Sequence, residues 1–405
     1  MTDPRSAGSG PAMSPESEMS GAQNEGEGTG ERLRRWRLVL GGEDADGTGS
    51  ELAGDDVRRD EVLGQLYDAE RRGGLAASSP RVARWLGDIR TYFPTSVVQV
   101  LQHDAMDRLG LRQLLLEPEL LATVQPDVAL VGTLVGLGRA IPEHSRETAR
   151  AVVRQVVRDL EQRLAAPTRQ AVVGALDRAA RSRRPRASDI DWNRTIAANL
   201  SHYQPEYRTV IPERLVGHGR RAQQVQREVV LCIDQSGSMA ASVVYASVFG
   251  AVLASLRAVR TRLVVFDTTV VDLTEQIDDP VDVLFGVQLG GGTDIAGALG
   301  YCESVITRPA DTILVLISDL YEGGVQEELL RRSASLVESG VRMVALLALS
   351  DQGTPVYDHD NAATLHQLGV PAFACTPDLF PDLMAAAIQK RDLTAWAQGH
   401  DIPTP

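Results

Sequence analysis

The sequence predicts an α/β chain: a doubly wound, Rossmann-like domain in its C-terminal part, an all-α region before it, and a disordered N-terminal tail. Three observations predict this. From Glu228 onward, short apolar runs alternate with longer helical stretches, the rhythm of a parallel sheet flanked by helices. From about Val57 to Ala180 the pattern is largely helical. Residues 1–30 are rich in Gly, Ser and Glu, a composition that buries too little apolar surface to fold.

Taken in order, Glu31 to Leu40 reads as a short helix, with Leu33, Trp36 and Leu40 at helical spacing, and Gly41 to Asp56 as an acidic, Gly-rich loop. Ser145 to Ala165 is the clearest helix. Ala149, Val152, Val153, Val156, Val157, Leu160 and Leu164 fall on one face, with Arg146, Arg150, Arg154, Arg158 and Glu161 opposite. Pro167 is expected to open a new helix, where its missing N–H costs nothing. Arg178, Arg181, Arg183, Arg184 and Arg186, interrupted by Pro185, read as a solvated connector.

In the last domain the expected strands are Val229–Ile233, Leu263–Phe266, Val270–Leu273, Thr312–Ile317, Val341–Leu349 and Pro371–Cys375. Their near-continuous apolar character suits strands covered on both faces. The expected helices are Ala241–Val259, Val281–Phe285, Ile295–Thr307, Val325–Ser339, Asn361–Leu368 and Asp378–Lys390. The division that follows is a tail over 1–30, a helical region over 31–180, a connector over 181–227, the sheet domain over 228–393 and a C-terminal tail over 394–405. A cut near Arg221 is expected to leave a domain that folds alone.

Composition removes several function classes. A net charge of -13 argues against general nucleic-acid binding, which needs a cationic surface. Lys390 is the single lysine, and it lies in neither a P-loop nor a Schiff-base context, so the chain is not expected to be an NTPase. Cys232, Cys302 and Cys375 are isolated, which excludes a CxxC zinc or disulfide framework; Cys232 reads as a buried strand residue. No signal-peptide pattern is visible, and the apolar stretch Val128–Ile141 carries three glycines and an Arg and is too short to span a bilayer. A cytoplasmic chain without stable membrane insertion is the expectation.

Three segments carry chemistry. Asp234-Gln-Ser236-Gly-Ser238 follows the first strand, Gly290-Gly-Gly-Thr293-Asp294 precedes a helix, and Ser318-Asp319 ends the strand Thr312–Ile317. In a doubly wound sheet all three can meet at the carboxyl ends of the strands, where such sheets bind ligands. The converging donors are hydroxyls and carboxylates, hard oxygens suited to Mg²⁺ or Mn²⁺ with water and one external ligand completing the shell. The alternative has Asp234 cap the first helix while the serines satisfy loop amides. Asp294 reads as an N-cap, Asp267 and Glu322 as ordinary loop charges, and Asp358-His359-Asp360 as a turn before a helix rather than a second metal site.

The DxSxS motif, the Gly-Gly-Thr loop and the strand-terminal Asp resemble the metal-ion-dependent adhesion site of von Willebrand factor A (VWA) domains. That resemblance implies Asp234, Ser236, Ser238, Thr293 and Asp319 as metal ligands, with a partner's acidic side chain in the vacant position. Asp191-Trp-Asn-Arg194-Thr195-Ile196, followed by the strand and Asp234-Gln-Ser-Gly-Ser-Met, is similar to bacterial CoxE-like proteins, and the helical half before a VWA domain resembles ViaA-like proteins. These imply partnership with a MoxR-family AAA+ ATPase in protein remodelling or cofactor maturation, and a client protein supplying the carboxylate. Arg81 to Pro94 looks like a subfamily signature with no role legible in its residues.

A nucleic-acid-binding adaptor using the Arg178–Arg186 run conflicts with the acidic balance, and two other functions compete. One is a metal-dependent interaction module; the other is a metal-assisted hydrolase or phosphotransferase using Asp234. Position 236 is Ser, where a haloacid-dehalogenase-type phosphotransferase wants a second Asp, and no His falls in the three site loops, leaving only a distant one such as His366. The interaction module is the favoured reading.

Overall fold

The computed structural model describes residues 31–38, 51–67, 79–108, 115, 117–179, 190–216, 227–286, 291–351 and 356–404. The expected tail over 1–30, most of the basic run, part of the connector and Gly290 lie outside them. The chain divides into two compact units, Met1–Gln125 and Pro126–Pro405.

The first unit is helical: α1 over 31–38, α2 Asp55–Tyr67, α3 Ser79–Tyr92, α4 Thr95–Arg108 and α5 Pro118–Leu121. The segment Arg81–Pro94 acquires a role here. Val82, Trp85, Leu86 and Ile89, spaced by three and four residues, are buried on one face of α3. Trp85 donates its indole N–H to Val62 O at 3.0 Å, which satisfies the one polar atom of the largest buried side chain. The signature supplies one face of this unit's core, which Val62, Leu66, Leu101 and Leu120 share.

The second unit opens with α6 Val128–Leu137, whose N-cap Asp127 accepts from Leu130 N at 2.7 Å, and α7 Glu143–Ala179. Helix α7 contains the expected helix Ser145–Ala165 but does not stop at Pro167. A proline inside a helix costs about 3 kcal/mol through its missing N–H and its clash with the preceding turn. The buried stripe of Val153, Val157, Leu160 and Leu164 continues through Thr168, Val172 and Ala175, and that burial outweighs the defect. Thr168 adds a hydroxyl bond to Leu164 O at 2.6 Å.

A small lobe follows, with α8 Trp192–Ala198 and the antiparallel pair β1 Tyr203–Gln204 and β2 Thr209–Val210. Its polar motif residues hold it closed. Asp191 caps α8 through Arg194 N, Thr195 bonds Val216, and buried Asn199 reaches Arg214. Trp192 and Ile196, from the same motif, are exposed.

The sheet comprises β3 Arg227–Asp234, β4 Val259–Phe266, β5 Val270–Asp272, β6 Thr312–Ile317, β7 Arg342–Leu349 and β8 Ala372–Cys375. Its order is β5-β4-β3-β6-β7-β8, all parallel except β5. The chain winds outward in both directions from β3 and β6, so the crevice of a doubly wound sheet opens between these two strands. Strand β4 begins four residues before its expected start, because Arg260 and Arg262 interrupt the apolar run. Arg262 pairs with buried Glu228 on β3 at 3.0 Å.

The helices are α9 Ala240–Ala254, α10 Pro280–Gly286, α11 Ile295–Val305, α12 Gln326–Glu338, α13 His359–Gln367, α14 Phe380–Ile388 and α15 Leu393–Gln398. Val230, Cys232, Leu314 and Leu316 face a core shared with α11, α12 and α13. On the other face Leu231 meets α9 beside Gly250. Helix α9 ends five residues short of expectation, since Val259 already belongs to β4.

Two expected boundaries move. Helix α9 buries Val243, Val244, Tyr245, Ala246, Val248, Phe249, Val252 and Leu253, faces that one sheet cannot cover alone. Helices α6 and α7 pack on it, and Gly132 brings α6 so close that a Cβ there would sit 3.0 Å from Ala240 Cβ. Helices α6 and α7 thus belong to the same compact unit as the sheet, Pro126–Pro405. At the other end, residues 394–404 are not simply a tail: Trp396 on α15 is buried, donates to Asp382 at 2.7 Å and meets the Phe373 ring at 5.8 Å. The stretch Gly237–Ala254 is long and apolar enough to cross a membrane by composition, but 67% of it is buried as the core helix described above.

Candidate metal centre

The site is built at the carboxyl ends of β3 and β6, at the crevice. Asp234 is the last residue of β3 and is fully buried. One carboxylate oxygen accepts from Ser236 N at 2.8 Å and the other from the Ser318 hydroxyl at 2.7 Å. Burial pushes its carboxyl above the usual range, opposed by the Ser236 amide and the Ser318 hydroxyl, while the charge of Asp319 pushes it further up. Asp234 caps no helix: α9 starts after a single 3₁₀ turn, Gly237–Met239, and its N-cap Met239 offers no side-chain bond.

Ser236 and Ser238 lie with their hydroxyl oxygens 3.1 Å apart. Ser238 donates to Asp319 at 2.6 Å, joining the first loop to the third. A hydroxyl that gives its proton to a carboxylate keeps its lone pairs for a cation. Asp319 follows β6 and is buried, and its carbonyl accepts from Asp358 N at 2.9 Å. Four of the five expected ligands thus form one hydrogen-bonded group.

Thr293 reaches the same edge through its backbone. Its carbonyl accepts from Gly323 N at 2.8 Å, and the neighbouring Asp294 N donates to Asp267 O at 2.8 Å. Asp294 is the N-cap expected for α11, accepting from Gly297 N at 2.7 Å. Glu322 does more than decorate a loop: it accepts from Ile295 N at 2.9 Å and Ala296 N at 3.2 Å, so the third loop caps the helix that follows the second. Burial raises its carboxyl above the ordinary range despite those amides. Asp267 closes its own turn through Thr269 N, and Asp358 caps α13 through Asn361 N, as expected of a turn before a helix.

Sequence reasoning missed three supporting residues. Ser318 holds Asp234 and accepts from Leu320 N at 3.0 Å. Gly323 lets the loops meet, since a Cβ there would lie 2.7 Å from Thr293 O. Asn361, buried, donates to Leu320 O at 3.0 Å and accepts from Gln326 at 2.7 Å, bracing the loop where Leu320 has a φ of 65°. Left-handed backbone at a non-glycine residue costs about 1–2 kcal/mol, so the turn is over-determined by its neighbours. Only the Ser next to Asp319 left a signal in the sequence.

Among the described residues no three His, Cys, Asp or Glu side chains are placed to hold a metal ion by themselves, so a cation at this site would rely on hydroxyl oxygens as well. The donor set of two carboxylates and hydroxyls fits a hard divalent ion. A family profile described as "VWA domain containing CoxE-like protein" matches residues 161–384. The chain is a member of the CoxE-like VWA family. The uncharacterized protein YehP of Escherichia coli (strain K12) is 37% identical over 370 residues, spanning 89% of this chain and 98% of YehP.

Solved structures with slight overall similarity include an aerotolerance-related membrane protein from Bacteroides fragilis, carrying multiple mutations to serine. It shows 14% identity and a TM-score of 0.32 over 40% of this chain and 99% of that one. A von Willebrand factor type A protein from Catenulispora acidiphila shows 11% identity and a TM-score of 0.31 over 44% of each chain. The VWA assignment stands on the sequence match. The profile begins inside α7, in keeping with α7 packing on α9 and α14 of the VWA domain.

Proposed function

We propose that this chain is a metal-dependent protein-interaction module, serving as adaptor or co-chaperone to a MoxR-type AAA+ ATPase in protein remodelling or cofactor maturation. The observation that carries the metal reading is the Ser238–Asp319 hydrogen bond, which ties two loops at the sheet crevice around Asp234 and Ser236. Asp234, Ser236, Ser238, Thr293 and Asp319 would hold Mg²⁺ or Mn²⁺. When bound, the ion supplies an electrophilic position for a carboxylate from a client protein. The chain's own part is orientation: Ser318 and the Ser236 amide fix Asp234, and Asp319 directs the Ser238 hydroxyl.

The serine hydroxyls bond each other and Asp319 rather than an imidazole, which favours binding over serine-hydrolase chemistry. The ATPase partnership is carried by family membership. A pull-down with a MoxR-type ATPase from the same genome tests it, using wild type, Ser236→Ala and wild type in EDTA. Retention of the ATPase by the intact protein supports the adaptor reading, and failure to retain it with or without Mg²⁺ sinks it. A client contact through the metal is lost both in EDTA and in Ser236→Ala.

A further inference from the structure

A cavity of about 350 Å³ opens at the edge of the sheet opposite the metal centre, where β7 begins. Arg342, the first residue of β7, and Lys390, just past α14, both line it. Arg342 donates to the Arg391 carbonyl, and Lys390 donates to Ala310 O at 3.2 Å. Those partners are neutral. No carboxylate among the described residues lies within 4.0 Å of either cation, although the chain holds 54 acidic residues against 41 basic ones.

Neighbouring charges are spoken for. Arg391 pairs with Asp382 at 3.6 Å. Asp392 also lines the cavity; its carboxylate accepts from Thr394 N at 2.9 Å and Ala395 N at 3.1 Å, and its charge still reaches Arg342, leaving two cations against one anion in the lining. Arg342 Nε is buried with no acceptor, an unmet donor of a kind that folded proteins seldom leave. Burial lowers the guanidinium's pKa from its ordinary value, opposed by the charge of Asp392.

We infer that this cavity is a binding site for a small oxyanion of the phosphate class, held between Arg342 and Lys390. A guanidinium matches the oxygen spacing of a phosphate, and an ammonium serves as a second point charge. The volume, far above the ~10–15 Å³ that a single water needs on the same measure, admits such a group with its remaining hydration. The site is independent of the metal centre, which uses the other ends of the strands.

The test is calorimetric titration of the full chain, in EDTA and at constant ionic strength made up with chloride. Inorganic phosphate and glycerol 3-phosphate are titrated separately, to tell a free ion from an esterified phosphate group. One site is expected for at least one of them, with affinity at least tenfold weaker in Lys390→Gln and lost in Arg342→Gln. Because Arg342 starts a central strand, Lys390→Gln decides the matter by itself: Lys390 is exposed and makes one bond to a backbone carbonyl. Absence of binding by either anion at millimolar concentration overturns the inference, as does unchanged affinity in Lys390→Gln.

Discussion

Ser238 and Asp319, 81 positions apart in the chain, meet at 2.6 Å with the serine hydroxyl donating. The bond spans the two loops that emerge beside the crevice, so each loop's position depends on the other. A hydrogen bond to a charged group contributes about 1.5–3 kcal/mol. Ser238→Ala is expected to lower the metal-free stability by up to about that amount, measured by urea denaturation, and to weaken Mg²⁺ binding at least tenfold. Full stability with full affinity would show that the loops are held by other means.

Gly323→Ala probes the second contact between loops. The new Cβ would sit 2.7 Å from the Thr293 carbonyl, a backbone atom that cannot swing aside. The expected loss is about 1–3 kcal/mol, as for other overpacked sites, together with weaker metal binding although no ligand is altered. Calorimetry on the variant checks this; wild-type affinity and stability would mean that the Thr293 loop moves freely.

Asn361→Ala leaves the Leu320 carbonyl without its donor and Gln326 without its acceptor. An unpaired buried polar group costs about 1–3 kcal/mol. The left-handed turn at Leu320 should relax, carrying Asp319 with it. The readout is a drop in melting temperature with a parallel drop in Mn²⁺ affinity. A fall in melting temperature alone would confine Asn361 to a packing role.

The strands were legible because a strand buried on both faces reads as an unbroken apolar run; Thr312–Ile317 has the observed ends. Asp234, Ser236, Ser238 and Asp319 were legible because each sits at a fixed offset from such a strand. Gly323 and Asn361 were not, since their roles arise from contacts to residues 30 and 41 positions away. The packing of α6 and α7 on α9 was hidden for a related reason. The apolar character of α9 is plain in the sequence, but which helices cover it is a property of packing. Pro167 misled because local preference, about 3 kcal/mol, lost to a buried stripe that runs past it.

Domain closure gives a fourth prediction. A fragment over 126–405 should unfold in one cooperative transition, whereas one over 222–405 should be less stable or aggregate, because the outer face of α9 loses α6 and α7. Chemical denaturation of both fragments decides; equal midpoints and slopes would show that the sheet domain closes without these helices.

The central claim is that Asp234, Ser236, Ser238, Thr293 and Asp319 form one metal centre. Calorimetric titration of Mg²⁺ and Mn²⁺ into wild type and Asp319→Ala tests it most directly. Wild type is expected to bind one ion and Asp319→Ala none, with the metal-free variant still folded, since the lost Ser238–Asp319 bond and the relieved repulsion between the two carboxylates act in opposite directions. Unchanged metal affinity in a folded Asp319→Ala protein, or no binding by wild type, would contradict the account.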